Sequence, residues 1–314
     1  MKNLLQLPAV QSGAGIGVIA PASFAQPGRI DAGLEHLRGL GFGPLISQHA
    51  LERGPLFFAG TIEQRLIDLH AAFTDETTRF VMCLRGGYGS NYLLDGLDLQ
   101  LIGNHPKPFF GYSDLTGLQL HLLDQLGLPA YHGPMVAADF HLEDGVHLPS
   151  FLAALAGQPY RLGAAEGLRV LKPGPTDTPV RGTLYGGCLS ILVSLLGTPF
   201  EPHTEGKLLF LEDTGAKPYQ VDRMIWQLRH AGKLDGVCGI VFGEMLDCVS
   251  PGASPGLLEE VILGALKDFD GPVGFGLRSG HVSRQNVTLM FGVEAELHTG
   301  PLAELHVNPQ AVTK

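Results

Sequence analysis

Three short segments of the sequence carry side chains that together could perform nucleophilic catalysis. Ser113 lies in a Gly-Tyr-Ser-Asp segment, Glu212 ends a run of apolar residues, and His281 follows a glycine in a polar loop. A serine hydroxyl is a weak nucleophile that needs an adjacent base, and an imidazole base needs a third group to hold its tautomer. The order Ser, Glu, His along the chain is that of one class of serine hydrolases. These three residues are therefore candidate members of a catalytic triad.

Each of these residues also has a structural interpretation, which the local sequence leaves open. Ser113 could do no more than cap the helix that follows it, and Leu115 stands where a G-x-S-x-G elbow has its second glycine. Of the adjacent acids Glu212 and Asp213, at most one should face a cleft, because neighbouring strand residues point to opposite sides. Either acid could cap a turn. His281 is one of 13 histidines, and a single histidine in a loop is more often structural than catalytic.

A glycine-rich segment, Arg85-Gly86-Gly87-Tyr88-Gly89-Ser90, follows another apolar run. Glycine allows a positive φ and a close approach of the backbone to a ligand, so this turn could present amides to an oxyanion or a phosphate. The Gly-Lys-Ser/Thr of a P-loop is absent, so nucleotide binding has little support, and a plain tight turn is the alternative. The amide of Asp114, which follows Ser113 at a predicted helix N-terminus, could also donate to a developing oxyanion.

A metal centre is not predicted. His141, Glu143, Asp144 and His147 form a polar cluster, but their spacing matches neither H-E-x-x-H nor H-x-x-E-H, and nearby glycine and proline favour a surface loop. We therefore expect chemistry that uses no metal and no other cofactor.

Short apolar runs alternate along the chain with longer segments of helical period, which predicts an α/β fold. Each candidate residue follows a predicted strand, at the end where α/β proteins build their sites. The segment 157–182 is rich in glycine and proline and has little periodicity, which is typical of a connection. We therefore expect an N-terminal domain over 1–156 with flavodoxin-like strand–helix alternation and the nucleophile. We expect next a linker over 157–182, and then a C-terminal α/β domain over 183–314 that contains Glu212 and His281.

The composition excludes several classes of protein. The 314 residues are 45% hydrophobic and 17% charged, which fits about two folded domains and not a coiled coil, collagen or a disordered acidic chain. The net charge of −10 argues against a nucleic-acid or anionic-membrane partner, since both are bound through an excess of Lys and Arg. No apolar stretch reaches the roughly 18 residues of a membrane span, and the first residues do not resemble a signal peptide. With four cysteines and no C-x-x-C pair, the sequence predicts a cytoplasmic protein with reduced thiols.

Taken in order, several segments resemble those of the LD-carboxypeptidases of the muramoyltetrapeptide type, the S66 serine peptidases, which include the microcin-immunity peptidases. The resemblance extends over nearly the whole chain. The matching segments are Val18–Ala22, Arg85–Gly89, Gly111–Asp114, Tyr131–Met135, Gly186–Gly187, Phe210–Asp213, Pro218–Arg223 and Gly280–His281. Cys188, where many members have Asn, and Met290, where many have Pro, depart from the pattern and bear on substrate preference more than on chemistry.

The resemblance implies two α/β domains with the active site in the groove between them. The roles that it implies are Ser113 as nucleophile, Glu212 as acid, His281 as base, and the amides of Asp114 and Gly87 as oxyanion hole. A carboxypeptidase must also bind the carboxylate of the residue that it releases, and Arg85, with Gly86, is the candidate for substrate binding. The structural alternative for Arg85 is an ion pair beneath the glycine-rich turn.

The implied activity is release of a terminal D-amino acid, D-Ala, from the L-centre of a murein tetrapeptide in peptidoglycan recycling. The implied partners are a small peptide or muropeptide substrate and a second copy of the chain, because members are typically cytoplasmic homodimers without a metal. Two alternatives are a microcin-immunity-type peptidase, which cleaves peptidyl-nucleotide or aminoacyl conjugates, and a non-catalytic two-lobed protein that binds a small ligand.

Overall fold

The computed structural model describes residues 2–176 and 178–309, and the chain divides into two compact units. One unit contains the chain up to Gln158 together with Arg284–Gly292, and the other contains Pro159–Ser283 and the chain from Val293. Each unit has its own β-sheet with α-helices, so the predicted α/β class is confirmed.

The first unit is built on a six-stranded sheet. Its strands are β1 (Gly15–Ile19), β2 (Gly43–Ile46), β3 (Thr78–Cys83), β4 (Phe109–Gly111), β5 (Ala130–His132) and β12 (Leu289–Phe291). Five parallel strands follow the order β2-β1-β3-β4-β5, and β12 pairs antiparallel with β5. This is the flavodoxin-like order, in which ligands bind at the carboxyl ends of the strands near the switch point between β1 and β3.

The helices of the first unit begin and end at recognisable sequence signals. They are α1 (Pro27–Gly39), α2 (Ile62–Thr74), α3 (Leu99–Asn104), α4 (Thr116–Leu126) and α5 (Leu148–Leu155). Thr61 and Gln64 form a capping box at the start of α2, and Gly127, in a left-handed conformation, ends α4. These caps fix where α2 begins and where α4 ends.

The second unit is built on a mixed eight-stranded sheet. Its strands are β6 (Tyr160–Leu162), β7 (Arg169–Lys172), β8 (Val180–Cys188), β9 (Lys207–Glu212), β10 (Gly239–Gly243), β11 (Val273–Leu277), β13 (Glu294–Thr299) and β14 (Ala303–Asn308). Its helices are α6 (Leu189–Ser194), α7 (Pro218–His230) and α8 (Leu257–Ala265). The central strands β8, β9, β10 and β11 are parallel, and the outer strands pair antiparallel, giving the order β6-β14-β13-β8-β9-β10-β11-β7. Every residue of β9 is buried, which accounts for its continuous apolar sequence.

The segment 157–182 differs from the connection that its composition suggested. It supplies β6, β7 and the first residues of β8 to the second sheet. Both β6 and β7 are edge strands with few buried residues, and edge strands tolerate short length and nearby proline. The weak apolar pattern therefore reflects the edge position of these strands.

Residues 284–292 also differ from the predicted domain boundaries, because they belong to the first unit and not to the C-terminal domain. Their strand β12 adds to the edge of the first sheet through β5. Nothing in the local sequence of a three-residue strand indicates which sheet it will join.

Within the described residues, no helix combines the length and the apolar character that crossing a bilayer requires. All four cysteines are free thiols.

Candidate active site

Ser113 lies directly beyond β4, in the turn that leads into α4. Its φ of 65° is a left-handed conformation, which costs a residue that has a Cβ about 1–2 kcal/mol. Such strain persists where the surrounding structure over-determines a position, and it is common at active sites. The backbone therefore marks Ser113 as a residue held for a purpose other than helix formation.

The interpretation of Ser113 as a helix cap is wrong. The N-cap residue of α4 is Leu115, and among the described residues no side chain caps that helix. Ser113 contributes its backbone carbonyl instead, which accepts a hydrogen bond from Thr116 Oγ1 at 2.8 Å. Sequence alone favoured the cap because serine is common there, but a left-handed φ is incompatible with the extended backbone of an N-cap.

The glycine-rich turn after β3 lies against Ser113. A Cβ on Gly86 would be 2.9 Å from Ser113 Cβ and 3.1 Å from its Oγ, so only glycine fits at this position without a shift of its neighbours. The next residue, Gly87, has φ of 112°, which also favours glycine. The turns after β3 and β4 are thus brought together around the Ser113 hydroxyl, at the strand ends where a flavodoxin-like sheet binds ligands.

Two backbone amides in these turns are suited to bind an oxyanion. Within the part of the chain that the structure describes, neither the N–H of Asp114 nor that of Gly87 has a hydrogen-bond acceptor. The Asp114 side chain is occupied, because its Oδ2 accepts the N–H of Ser90 at 2.8 Å. Burial raises the pKa of that carboxyl above its ordinary value. The two amides therefore remain the predicted oxyanion hole.

Two buried side chains hold the glycine-rich turn in place, and no sequence pattern indicated either of them. Ser23 Oγ accepts the N–H of Tyr88 at 3.1 Å. Arg65 is 3% exposed and donates from Nη1 to the carbonyl of Pro21 at 2.9 Å and to that of Gly89 at 2.8 Å. Arg65 thereby ties the segment after β1 to the segment after β3. No sequence signal could have found this role, because its acceptors are backbone carbonyls far away along the chain.

Arg85, the candidate anchor for a substrate carboxylate, is exposed. Its guanidinium lies beside the turn, since a Cβ on Gly87 would be 3.4 Å from Arg85 Nη2. The structural alternative was an ion pair beneath the turn. Arg85 forms no such pair with any described residue, and the position beneath the turn belongs to Arg65.

In the second unit, Glu212 and His281 form a hydrogen-bonded pair. Glu212 ends β9 with its side chain fully buried, and His281 lies in the loop after β11. His281 Nδ1 is 2.8 Å from Glu212 Oε2, and the same oxygen accepts the backbone N–H of His281 at 3.0 Å. One carboxylate oxygen therefore fixes both the backbone and the ring of the histidine. A bond at Nδ1 makes Nε2 the nitrogen that would exchange a proton with a nucleophile.

The structure distinguishes the two adjacent acids at the end of β9. Asp213 accepts the N–H of Ser190 with Oδ2 at 2.8 Å and the N–H of Thr214 with Oδ1 at 2.8 Å. Its role is to bind the backbone of neighbouring turns, whereas Glu212 binds the histidine. The expectation that only one of the two acids serves the site agrees with this arrangement.

Cys188, the last residue of β8, is paired in register with Glu212, the last residue of the neighbouring strand β9. Burial raises the pKa of the Cys188 thiol well above its ordinary value, and the charges of Glu212 and Asp213 add to the effect. The Cys188 thiol beside the buried carboxylate therefore resists deprotonation.

Gly280 gives a testable consequence of the close packing around Glu212. Its φ is +88°, and a Cβ there would be 2.6 Å from Glu212 Cδ. We expect Gly280→Ala to displace the carboxylate from His281 and to lower kcat by about 100-fold or more, because misplacing a catalytic group by about 1 Å has such an effect. Steady-state kinetics of the purified variant measure this loss.

Gly252→Ala is the matched control, because Gly252 has φ of +84° and, apart from its chain neighbours, no described residue has an atom within 4 Å of the place that an alanine Cβ would take. It should lose about 1–2 kcal/mol of unfolding free energy from the backbone conformation alone and keep its activity. Equal activity of the two variants would contradict the proposed role of the Glu212–His281 contact.

The polar cluster around His141 and His147 does not assemble into a ligand set within the described residues. His147 is instead the N-cap of α5, where its Nδ1 accepts the N–H of Ser150 at 3.4 Å. Its apparent metal-like spacing is thus explained by a helix start.

Two family models match separate parts of the chain. The LD-carboxypeptidase N-terminal domain matches residues 16–133, and the LD-carboxypeptidase C-terminal domain matches residues 181–297. The first range includes Ser113, and the second includes both Glu212 and His281.

Relatives of known name or structure align with almost the whole chain. A probable murein peptide carboxypeptidase of Bacillus subtilis is 37% identical, and the alignment covers 93% of this chain and 91% of that protein. The muramoyltetrapeptide carboxypeptidase from Oxalobacter formigenes matches in structure with a TM-score of 0.82 and 28% identity, over 94% of this chain and 98% of that one. An MccF-like protein from Bacillus anthracis matches with a TM-score of 0.86 and 26% identity, over 96% and 99%.

Proposed function

The chain belongs to the LD-carboxypeptidase family, the S66 peptidases, and from this premise we propose that it is a serine LD-carboxypeptidase that releases D-Ala from the L-centre of a murein tetrapeptide. The observation that carries the proposal is the pair formed by His281 Nδ1 and the buried Glu212 Oε2 at 2.8 Å. A buried carboxylate that orients an imidazole is the part of a serine hydrolase that a ligand-binding protein does not need.

In the proposed reaction, Ser113 Oγ attacks the carbonyl carbon of the L-centre while His281 Nε2 takes the hydroxyl proton. The C–N bond then breaks, and His281 returns the proton to the leaving amine of D-Ala. Water then attacks the Ser113 ester while the same imidazole takes one of its protons. The acyl C–Oγ bond breaks, the proton passes from the imidazole to Ser113 Oγ, and the shortened peptide leaves as a carboxylic acid. Glu212 holds the ring and stabilises the imidazolium that forms in each step. The mechanism requires the Ser113 hydroxyl and His281 Nε2 to come within about 2.6–3.2 Å of each other in the active enzyme.

The amides of Asp114 and Gly87 would stabilise the tetrahedral oxyanion. Removing one donor of this kind lowers kcat by roughly 10²- to 10³-fold in serine hydrolases. The left-handed φ of Ser113 supports this assignment, because strained backbone of this kind is common at active sites.

An exopeptidase must also bind the carboxylate of the residue that it releases. Arg85 is the proposed anchor, since it is exposed beside the turn at Ser113, and Gly86 would allow the substrate backbone to approach. The proposal further takes the enzyme to be a cytoplasmic homodimer, as the family resemblance implies. Sedimentation equilibrium of the purified protein tests the dimer.

The decisive assay is release of D-Ala from a murein tetrapeptide, measured by chiral chromatography of the products. Tetrapeptides with L-Lys or with meso-diaminopimelate at the third position should both be offered, because the proposed mechanism does not depend on that side chain. The matched control is the same peptide with an inverted third centre, which places a D,D bond at the cleavage point. We expect D-Ala only from the peptides with an L-centre, and cleavage of the D,D peptide instead would contradict the proposal.

A second candidate function is favoured by the similarity to the MccF-like protein, whose TM-score of 0.86 is as high as that of the carboxypeptidase. In this second candidate function, the chain is a microcin-immunity-type peptidase that cleaves a peptidyl-nucleotide or aminoacyl conjugate. Offering an aminoacyl sulfamoyl nucleoside and the murein tetrapeptide in competition distinguishes the two. The first proposal predicts that kcat/KM is higher for the tetrapeptide.

A further inference from the structure

A tetrapeptide, Ala-Glu-Leu-His, occurs twice near the end of the chain, as Ala295–His298 and as Ala303–His306. The two copies lie on the neighbouring antiparallel strands β13 and β14. In the register of these strands, Glu296 is opposite His306 and His298 is opposite Glu304. Because residues two apart on a strand share a face with their cross-strand partners, the two glutamates and two histidines form a two-by-two patch on one face of the hairpin.

The buried residues of the same strands confirm which face this is. Leu297 and Leu305 alternate with the polar residues and are fully buried, so the patch of Glu296, His298, Glu304 and His306 lies on the opposite, more accessible face. The strands therefore fix all four side chains side by side without any need for a long loop.

Polar atoms of three residues in the patch are close enough to share one cation. His306 Nε2 is 2.8 Å from Glu304 Oε2, and His298 Nε2 is 3.5 Å from Glu296 Oε2. The two imidazole centroids are 4.2 Å apart, and one ligand atom each from Glu296, His298 and His306 lie within 4.8 Å of one another. A tetrahedral zinc ion with bonds of about 2.0–2.2 Å needs ligand atoms about 3.4 Å apart. Rotations of side chains that move these atoms by about 1 Å would meet that geometry.

One nitrogen in the patch has an unmet requirement. Within the described residues, His298 Nε2 is shielded from solvent and makes no hydrogen bond, although Glu296 lies 3.5 Å away. A buried polar atom without a hydrogen bond is unfavourable, and such an atom calls for an explanation. A coordinated metal ion would satisfy it.

Arg181 holds one of the carboxylates in place. It donates from Nη2 to Glu296 Oε1 at 2.9 Å, which leaves Oε2 as the oxygen beside His298. A hydrogen bond to the outer oxygen of a ligating carboxylate is a common way to orient it.

The charges around the patch select the kind of ion. Arg181 and Arg161 are opposite Glu296 and His306 on the strands that flank the hairpin, so two arginines balance the two glutamates. Attraction between charges alone would therefore be weak, and binding would depend on the imidazoles. Imidazole suits Zn²⁺, Cu²⁺ and Ni²⁺, whereas Ca²⁺ and Mg²⁺ prefer sets of oxygen ligands.

We propose that Glu296, His298 and His306 form a binding site for one divalent transition-metal ion, best matched by Zn²⁺, which links β13 to β14, with Glu304 held beside the site by its contact with His306. The site uses no residue of the proposed triad. It is a structural site on the hairpin, with two nitrogen ligands and one carboxylate oxygen from the protein, which leaves the fourth position of a tetrahedral ion open.

The test is titration of the chelator-treated, full-length protein with ZnCl₂ by isothermal calorimetry, together with metal analysis after dialysis. We expect the wild type to bind one Zn²⁺ per chain. The double variant His298→Ala and His306→Ala should bind it at least about 100-fold more weakly, since it loses both nitrogen ligands. The matched control is His105→Ala with His230→Ala, which removes two exposed histidines elsewhere and should bind like the wild type.

Replacement of Zn²⁺ by Co²⁺ gives a second readout that does not depend on the stability of the double variant. The wild type should show the strong visible absorption of tetrahedral Co²⁺, and Glu296→Gln, which preserves side-chain volume, should weaken it. Failure of the wild type to bind Zn²⁺ stoichiometrically, or equal binding by the double variant and the control, would overturn the proposal. This test measures metal binding and not D-Ala release. A failure of the metal-site proposal is therefore distinguishable from a failure of the proposed function.

Discussion

Ser113→Ala is expected to lower kcat for D-Ala release by about 10⁴- to 10⁶-fold, because the reaction has no other nucleophile in the proposed mechanism and triad nucleophiles have effects of this size. Product chromatography at high enzyme concentration measures the residual rate. The substrate should still bind, because the oxyanion donors and Arg85 are unchanged. A variant with more than a few per cent of the wild-type rate would remove Ser113 from its assigned role.

Two companion variants separate chemistry from folding in this experiment. Ser194→Ala removes an exposed hydroxyl on α6 and should leave the rate unchanged. Ser113→Gly should be as inactive as Ser113→Ala but more stable by about 1–2 kcal/mol, because glycine adopts the φ of 65° without strain. Chemical denaturation of the two Ser113 variants measures the difference, and equal stability would show that the strain at Ser113 has been misjudged.

Glu212→Gln is expected to lower kcat by about 10⁴-fold with little change in KM, since loss of the triad carboxylate leaves the imidazole in the wrong tautomer and its charged form unsupported. The substitution preserves volume in a fully buried position, so the fold should be retained. Steady-state kinetics and circular dichroism of the purified variant check both statements.

Asp213→Asn is the control for this second prediction. Asp213 is the adjacent buried acid, but its oxygens accept backbone N–H groups of Ser190 and Thr214. Its replacement should lower stability while retaining most of the activity. If the two variants lose activity equally, the distinction between the acids fails.

The sequence predicted the elements that carry the candidate residues better than it predicted what lies around them. The apolar runs that end at Glu212 and before Ser113 are buried strands with parallel neighbours on both sides, and such strands have a continuous apolar pattern. The link between Glu212 and His281 was expected only from chain order and from the resemblance. Their contact depends on how β9 and β11 are placed in one sheet, which no local pattern encodes.

Other features needed the three-dimensional structure for similar reasons. The left-handed φ of Ser113 could not be predicted from the sequence, because serine rarely adopts that conformation. Arg65 binds carbonyls from two distant turns, and β6 and β7 are edge strands whose short, half-exposed sequences look like loops. Residues 284–292 belong to the first unit because their strand β12 pairs with the edge strand β5, and this pairing depends on tertiary packing.

The central claim is that Ser113 in one unit and His281 in the other act on the same bond. A double-mutant cycle in kcat/KM for D-Ala release, with Ser113→Ala, His281→Ala and the double variant, tests it most directly. Groups that act as one catalytic unit are strongly non-additive, so the double variant should be about as active as either single variant. Losses that multiply in the double variant would show that the two residues contribute independently, and would contradict the account.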